Sequence, residues 1–156
     1  MKKIIALILI SLMTLQTNVQ AQDLVGITSL TALKNKPYKT WFNKELRNYS
    51  PDKKVITQLQ SKLNGVTITV VMATWCGDSK EQVPRFYKVI KRCNYTTNNV
   101  TLICTDRSKT TPDHLEEGKN IEKVPTFILY KQGKEIGRII ETPTTTIEAD
   151  MLKIVN

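Results

Sequence analysis

The sequence predicts an α/β fold in which a single mixed sheet is flanked by helices. Residues 66–73 and 100–105 are runs rich in β-branched apolar side chains, which is typical of strands buried on both faces. Apolar residues recur at helical spacing between these two runs, so this unit predicts two parallel strands joined by a helix. Residues 126–130 and 135–141 flank a short turn that contains Gly133, and this pattern predicts a β-hairpin. A hairpin beside a parallel pair makes the sheet mixed.

The first 21 residues have the pattern of a secretory signal peptide. Lys2 and Lys3 precede an apolar run over residues 4–15, and a polar stretch follows that ends at the small residue Ala21. The apolar run is shorter than the roughly 20 residues that a membrane-spanning helix requires. We therefore expect cleavage after residue 21, a periplasmic or secreted mature protein, and no membrane attachment once the signal is removed.

Residues 22–65 are predicted to form a helical extension that precedes the main domain, residues 66–156. Two amphipathic helices account for the apolar residues of this extension. Ser50 and Pro51 are expected to cap the second helix, and Gly65 is expected to end it. The apolar face of the first helix is formed by Tyr38, Trp41, Phe42, Leu46 and Tyr49, and that of the second by Val55, Ile56, Leu59 and Leu63.

The remaining elements complete the layers of helices around the sheet. After the second strand, a polar segment with Pro112 is predicted to begin a short helix. The last helix is predicted to start with a capping box formed by Thr145 and Glu148. The order strand, helix, parallel strand, helix, hairpin, helix then covers both faces of the sheet.

The formal net charge is +9 at pH 7, which raises the question of a nucleic acid or a membrane surface as partner. The basic residues are scattered, and only pairs such as Lys53 and Lys54 occur, without aromatic residues beside them. This distribution indicates a solvated surface. We expect no nucleic-acid partner, and because no metal-ligand spacing is present we expect no metal and no cofactor.

Cys76 lies where the predicted fold gathers active-site residues. It follows the carboxyl end of the first strand and precedes the helix, and the free N–H groups of a helix N-terminus favour a thiolate over a thiol. The first hairpin strand is expected to run antiparallel to this strand and to begin at the same edge. Pro125, which directly precedes the hairpin, should therefore face Cys76.

Residues 66–155 resemble the thioredoxin superfamily. The stretch Trp75-Cys76-Gly77-x-x-Lys80 is similar to the tryptophan-led redox motif of this family, and Pro84 corresponds to its helix-kinking proline. Val124-Pro125-Thr126 is similar to the loop that carries the family's cis-proline, and Gly133 falls in its hairpin turn. The resemblance implies a thioredoxin-like fold, with Cys76 as the nucleophile and a cis peptide bond before Pro125.

The resemblance also implies roles for the neighbours of Cys76. Ser79 and Lys80 are assigned with Cys76 to the catalytic group. Lys80 either stabilises the thiolate or belongs to a solvated helix face, and Asp78 either tunes Cys76 or caps the helix. The residues expected to bind substrate are Trp75, Gly77, Asp78, Val124, Pro125 and Thr126.

Two departures from the thioredoxin pattern affect the same chemical step. Ser79 occupies the place of the second cysteine, and Val70 stands where thioredoxins keep a buried acid that assists in deprotonating that cysteine. Cys76 can attack a disulfide and form a mixed disulfide, but a serine hydroxyl cannot resolve it. The chain therefore needs a thiol from elsewhere to complete the cycle.

Cys93 and Cys104 are the other thiols of the chain. Cys93 lies about 17 residues along the helix, near 25 Å from Cys76 at 1.5 Å per residue, whereas a disulfide needs Cα atoms within about 7 Å. Cys104 lies on a strand that returns to the active edge, so it is either a resolving thiol or a buried core residue. Asp106 and Arg107, at the end of that strand, form either part of a substrate rim or a local turn.

Three functions are compatible with this sequence. The favoured one is an exported thiol-disulfide oxidoreductase that forms mixed disulfides with protein clients through Cys76 and is released by an external thiol reductant. A second is a peptide-binding or chaperone-like module in which Cys76 is incidental. A third resembles monothiol glutaredoxins, which hold glutathione or an iron–sulfur cluster at a Cys-Gly-x-Ser site. The acidic residue Asp78 and the expected export count against this third function.

Overall fold

The computed structural model describes residues 22–156, and the signal peptide expected for residues 1–21 lies outside the described residues. Five strands form one sheet in the order β1-β3-β2-β4-β5. β2 and β3 are parallel, whereas every other neighbouring pair is antiparallel. The strands are β1 (Gly26–Thr28), β2 (Val66–Met72), β3 (Val100–Cys104), β4 (Thr126–Lys131) and β5 (Lys134–Ile140). The predicted mixed sheet, with its parallel pair and its hairpin, is confirmed.

Helices flank this sheet, as the fold class requires. A short 3₁₀ turn, Thr97–Asn99, also leads into β3. Within residues 22–156 no helix is long and apolar enough to cross a membrane. The α-helices are α1 (Leu30–Leu33), α2 (Lys39–Asn48), α3 (Lys53–Lys62), α4 (Gly77–Arg92) and α5 (Ile147–Val155).

Each described helix contributes apolar side chains to one main core, which lies on one face of the sheet. The strands add alternate residues to this core, as the two-residue period of a strand requires. Phe86 of α4 packs on Phe127 of β4, with ring centroids 5.2 Å apart. Phe42 of α2 packs on Tyr87 at 6.1 Å. Aromatic pairs of this kind connect α2, α4 and the centre of the sheet.

A smaller cluster covers the opposite face of the sheet. It consists of Val71, Ala73, Ile103 and Val124, and the side chains of Trp75, Cys76, Leu115 and Ile121 pack against it. Leu115 and Ile121 belong to the connection between β3 and β4, which contains turns and no helix. The segment that contains Trp75 and Cys76 therefore packs on the face that the connecting loop covers.

The short helix predicted near Pro112 is absent from this connection, so that prediction was wrong. The carboxylate of Asp106 accepts hydrogen bonds from the N–H groups of Ser108 and Thr110, both at 2.9 Å, which closes a local turn. Further along, His114 and Gly118 have positive φ angles of 52° and 72°, which a helix cannot contain. The turn-forming residues of this connection thus prevent the helix that the proline was expected to start.

The caps of two helices also differ from the prediction. Asp52, not Ser50 and Pro51, caps α3, because its carboxylate accepts from the N–H groups at the second and third helical positions. Thr146, not Thr145, caps α5. Glu148 is therefore not the partner in a capping box. Instead it accepts hydrogen bonds from the Tyr49 hydroxyl and from the Asp52 N–H, the latter at 3.0 Å.

The N-terminal segment, residues 22–65, contains a strand as well as helices. β1 pairs antiparallel with β3, with Gly26 opposite Cys104. The sequence interpretation as a purely helical segment missed this strand because three residues are too few to show an alternating pattern. Ile27 at its centre remains 70% exposed, so burial leaves no clear signature either.

Candidate active site

Cys76 lies at the N-terminus of α4, directly after the loop that leaves β2. Its backbone is extended, with φ −81° and ψ 130°, so that it serves as the N-cap residue of the helix. The Cys76 N–H donates to the Ala73 carbonyl at 3.2 Å, and the Cys76 carbonyl accepts from the Lys80 N–H at 3.1 Å. Cys76 therefore directly precedes the unpaired N–H groups of the first turn of α4, and its side chain makes no capping hydrogen bond with them.

The Cys76 thiol contacts a segment that is 48 residues away in sequence. Its Sγ donates a hydrogen bond to the Val124 carbonyl oxygen at 3.2 Å. The peptide bond between Val124 and Pro125 is cis. The side chains of Val124 and Pro125 are buried, whereas Cys76 is partly exposed. The motif and the proline loop, which the sequence places far apart, thus meet at one edge of the sheet.

Local hydrogen bonds hold the proline loop in place. The Thr126 hydroxyl donates to the Lys123 carbonyl at 2.6 Å, and the Glu141 N–H donates to the Pro125 carbonyl at 2.6 Å. Lys123 also forms an ion pair with Glu141 at 2.6 Å. This hydrogen bond, the charge of Glu141 and the more distant charge of Asp78 all raise the pKa of Lys123.

Ser79 is completely buried in the first turn of α4. Its Oγ accepts a hydrogen bond from the Ala73 N–H at 3.2 Å, which ties the helix to the end of β2. No hydrogen bond joins Ser79 to Cys76 within the described part of the chain. Because residues three apart on a helix lie on the same face, Ser79 nevertheless occupies the place from which a second thiol would reach Cys76.

Trp75 forms one wall beside Cys76. The Arg107 guanidinium lies over its ring, with the carbon 5.6 Å from the ring centroid. The indole N–H of Trp75 is buried and has no acceptor among residues 22–156. The sequence had left open whether Arg107 belongs to a substrate rim or to a local turn. This stacking brings Arg107 to the rim, while its neighbour Asp106 forms the local turn.

A cleft of about 550 Å³ opens between Trp75 and the N-terminal segment. One of its walls is fixed by Thr74, whose hydroxyl donates to Asp23 Oδ1 at 3.0 Å and accepts from the Leu24 N–H at 3.2 Å. The lining residues are Gln22, Asp23, Pro37, Tyr38, Trp41, Thr74, Trp75, Lys80 and Arg107. Sequence reasoning missed Asp23 and Tyr38 because only the folded contact brings these distant residues to the motif. Thr74 directly precedes Trp75, but its hydrogen bonds to the N-terminal segment have no signal in the sequence.

The other two cysteines are buried and form no disulfide. Burial, followed by the charge of Glu148, raises the pKa of Cys93 to about 11. Burial also raises the pKa of Cys104 to about 11. Cys104 lies in the main core, whereas its neighbour Ile103 belongs to the small cluster against which Cys76 packs. The sheet thus separates Cys104 from Cys76, and the structure favours the core role of Cys104 over the resolving role.

Comparisons with known proteins agree on one family. The family model described as thioredoxin matches residues 30–153. A thioredoxin of Coprinus comatus is 35% identical over 77 residues, which cover 49% of this chain and 69% of that protein. Thioredoxin-1 of Schizosaccharomyces pombe is 26% identical over 108 residues, which cover 69% of this chain and 94% of the relative.

A solved structure supports the fold. A protein of unknown function from Pseudomonas aeruginosa superposes with a TM-score of 0.60 at 15% identity, covering 84% of this chain and 92% of the other. An identity this low bears on the fold alone. Together with the family match over most of the sequence, the cysteine at the start of α4 and the proline loop opposite it, these findings show that the chain belongs to the thioredoxin family.

Proposed function

We propose that this protein is an exported thiol-disulfide oxidoreductase that acts through a single cysteine, Cys76. The observation that carries the proposal is the surroundings of this sulfur. It is partly exposed at a helix N-terminus and contacts the proline loop through Val124. The place of a second thiol is taken by Ser79, and the two remaining thiols are buried.

The first step consumes no partner besides the client. The Cys76 proton passes to solvent, and the thiolate attacks one sulfur of a client disulfide. A bond forms between Cys76 and the client, and the other client sulfur leaves as a thiolate. In a two-cysteine site a neighbouring thiol would then attack Cys76. Here Ser79 lacks the nucleophilic sulfur for that step, so the mixed disulfide persists.

An external thiol completes the cycle. Its thiolate attacks Cys76 Sγ, releases the reduced client and remains bonded to Cys76. A second molecule of the same thiol then frees Cys76 and forms the oxidised disulfide of that thiol. Overall, two electrons pass from two external thiols to one client disulfide. The protein must therefore work in a compartment that supplies such a thiol. Its proposed partners are protein clients with disulfides, as for thioredoxins, and this external reductant.

The proline loop supplies a place for the client backbone. When Cys76 loses its proton, it no longer donates to the Val124 carbonyl, and this acceptor becomes free. Within residues 22–156 no hydrogen bond uses the Val124 N–H. An extended client chain can pair with both groups of Val124 as a short added strand, which holds its disulfide beside Cys76.

Export follows from the sequence pattern of residues 1–21 and forms part of the proposal. In an oxidising compartment the odd number of cysteines leaves at least one thiol without an internal partner. Fractionation of cells and N-terminal sequencing of the mature protein test this part. A mature chain that still begins at Met1, or one confined to the reducing interior of the cell, contradicts it.

Trapping of covalent intermediates tests the chemistry. Cells that make the protein are quenched with acid and alkylated, and mass spectrometry identifies what is attached to each cysteine. We expect client adducts on Cys76, none in a Cys76→Ala variant, and an unchanged set in the matched control Cys93→Ala. Adducts on Cys93 or Cys104 would overturn the assignment of the site. An absence of adducts, with full activity of Cys76→Ala in the cell, would favour a peptide-binding module.

A further inference from the structure

We propose that the cleft beside Trp75 binds an acidic segment of the client protein and so determines which disulfides Cys76 attacks. This inference rests on the proposed function, since it names the class of client for the same site. The cleft is built from three regions of the chain. They are the N-terminal segment, the motif that holds Cys76, and Arg107 in the connection that follows β3.

The position of the cleft suits a residue close to the client's disulfide. Trp75 lines the cleft and directly precedes Cys76 in the chain. Lys80 lines it from the first turn of the helix that Cys76 begins. An extended chain advances about 3.3–3.6 Å per residue. A client whose sulfur is bonded to Cys76 therefore reaches the cleft with residues that lie next to its own cysteine.

The charge of the cleft favours a carboxylate. Its two cations, Lys80 and Arg107, form no salt bridge within residues 22–156, so both charges are available to a ligand. The single carboxylate of the lining, that of Asp23, already accepts a hydrogen bond from Thr74. The cleft thus presents more positive than negative charge.

The remaining walls suit a side chain with apolar parts. Tyr38, Trp41 and Trp75 contribute aromatic surface to the lining. Arg107 lies over the Trp75 ring, an arrangement that fixes the guanidinium without neutralising its charge. A glutamate or aspartate placed between these aromatic rings and the two cations would gain both packing and charge pairing. The expected ligand of the cleft is thus a peptide with an acidic residue beside its cysteine.

Tryptophan fluorescence reports on this cleft directly. The sequence contains two tryptophans, and both line the cleft. The experiment uses Cys76→Ser protein and synthetic peptides in which serine replaces cysteine, so that no disulfide can form. Three peptides differ only in the residue beside this serine, which is Glu, Gln or Lys. We expect the Glu peptide to bind about threefold to fivefold more tightly than the Gln peptide, as an exposed ion pair allows, and the Lys peptide to bind weakest.

Variants locate the preference in the cleft. Arg107→Gln and Lys80→Gln should each remove most of the difference between the Glu and Gln peptides. Lys91→Gln is the matched control, because it removes the same charge from an exposed position of the same helix, away from the cleft. Equal binding of all three peptides, or an equal effect of Lys91→Gln, would overturn the inference. Binding of glutathione as tight as that of the Glu peptide would overturn the peptide assignment in favour of a small carboxylate.

A second arm separates this inference from the proposed function. Native protein is mixed with disulfides of the cysteine-containing forms of the same peptides, and the rate of mixed-disulfide formation at Cys76 is measured. Faster reaction with the Glu peptide supports both ideas. Reaction at equal rates with all three peptides overturns the inference and leaves the oxidoreductase function intact. Binding preference without any reaction overturns the oxidoreductase function and retains the acidic-peptide cleft.

Discussion

Cys76 and Cys104 lie at the carboxyl ends of neighbouring parallel strands, at the same edge of the sheet, but their side chains lie on opposite faces. Cys104 ends β3 opposite Met72, the last residue of β2, and points into the main core. Cys76 follows β2 by four residues and packs on the small cluster, where part of its surface meets solvent. The comparison shows that the face of the sheet, more than the distance along the chain, separates a partly exposed thiol from a buried one.

The surroundings of the two sulfurs explain the difference chemically. Burial raises the pKa of Cys104 to about 11, because the core cannot solvate a thiolate. Cys76 is instead the N-cap residue of a 16-residue helix and is partly exposed to solvent. The thiolate is the nucleophile in disulfide exchange. Five predictions test this contrast, beginning with the one that should have the largest effect.

Replacement of the exposed thiol should abolish exchange. In Cys76→Ala, reduction of insulin with dithiothreitol should fall to the rate of the uncatalysed reaction, since no other accessible sulfur remains. Cys104→Ala should retain the native rate, at a stability cost of about 1 kcal/mol for the lost buried sulfur. Turbidity of precipitating insulin measures the rate. Loss of activity in Cys104→Ala with unchanged melting temperature would restore the resolving role of Cys104 and break the comparison.

Alkylation should distinguish the three thiols by pH. With a pKa of about 11, Cys93 and Cys104 are thiolate in only about one molecule in a thousand at pH 8. Iodoacetamide should therefore label Cys76 first at pH 7–8, and label the buried thiols only near pH 11 or after unfolding. Peptide mapping of the labelled sites measures this order. Earlier labelling of Cys93 in folded protein would contradict the buried surroundings described for it.

The same shift predicts how stability depends on pH. A thiol whose pKa is raised in the folded state stabilises that state below its unfolded value of about 9, and this contribution is lost as pH rises towards 11. The free energy of unfolding should therefore fall between about pH 9 and pH 11, by up to about 3 kcal/mol for each thiol. Urea titrations across this range measure it. In Cys104→Ala the fall should be smaller, and an identical fall would show that other groups cause it.

Conversion of Ser79 to cysteine should allow the mixed disulfide on Cys76 to be resolved within the molecule. Residues 76 and 79 occupy the N-cap and third helical positions, so their side chains lie on one face within the reach of a disulfide. Ser79→Cys should increase insulin reduction several-fold and decrease the trapped mixed disulfide. The gain should be partial, because the buried residue Val70 supplies no acid to deprotonate the new thiol. The variant should also lose roughly 1 kcal/mol of folding stability, because the hydrogen bond between Ser79 and Ala73 is removed.

A matched variant makes this result specific. Ser79→Ala loses the same hydrogen bond without gaining sulfur, so it should lower stability similarly and leave the trapped mixed disulfide at the native level. If Ser79→Cys and the native protein are equally inactive, and neither forms a mixed disulfide, the oxidoreductase proposal fails.

The smallest expected effect concerns Glu148, whose charge is the second cause of the raised pKa of Cys93. Glu148→Gln weakens its acceptance of hydrogen bonds from Tyr49 and Asp52, which should cost about 1–3 kcal/mol. The control Glu117→Gln removes a carboxylate from an exposed pair with His114 and should cost less than about 1 kcal/mol. Denaturant titration compares the free energies of unfolding of the two variants. Equal losses would show that Glu148 has no special structural role.

The sequence alone predicted the parts of this fold that repeat a local pattern. The β-branched runs of β2 and β3 and the glycine turn before β5 have clear periods, so their order and the mixed sheet could be inferred. The position of Cys76 followed, because parallel strands end at one edge. That Pro125 faces Cys76 then required only the antiparallel direction of β4. The hydrogen bond from the Cys76 sulfur to the Val124 carbonyl was not predicted.

Features that depend on a few residues or on distant contacts were not predictable. β1 has three residues, too few for a period. Asp52 competes with Ser50 for the same cap, and the choice is made by the backbone and by the buried carboxylate of Glu148. The cleft has no signal in any single segment, since Asp23 and Trp75 meet only in the folded chain.

The hydrogen bonds of Glu148 have a consequence for how the chain can be divided. A protein shortened to residues 66–156 would leave this fully buried carboxylate without the Tyr49 hydroxyl and the Asp52 amide. It would also remove Phe42 and Leu59 from the main core and uncover one side of β3. The apolar surface uncovered in this way would cost several kcal/mol, a large share of the stability of a small domain. We therefore expect residues 66–156 not to fold stably without residues 22–65, and we expect residues 22–156 to unfold in one cooperative step.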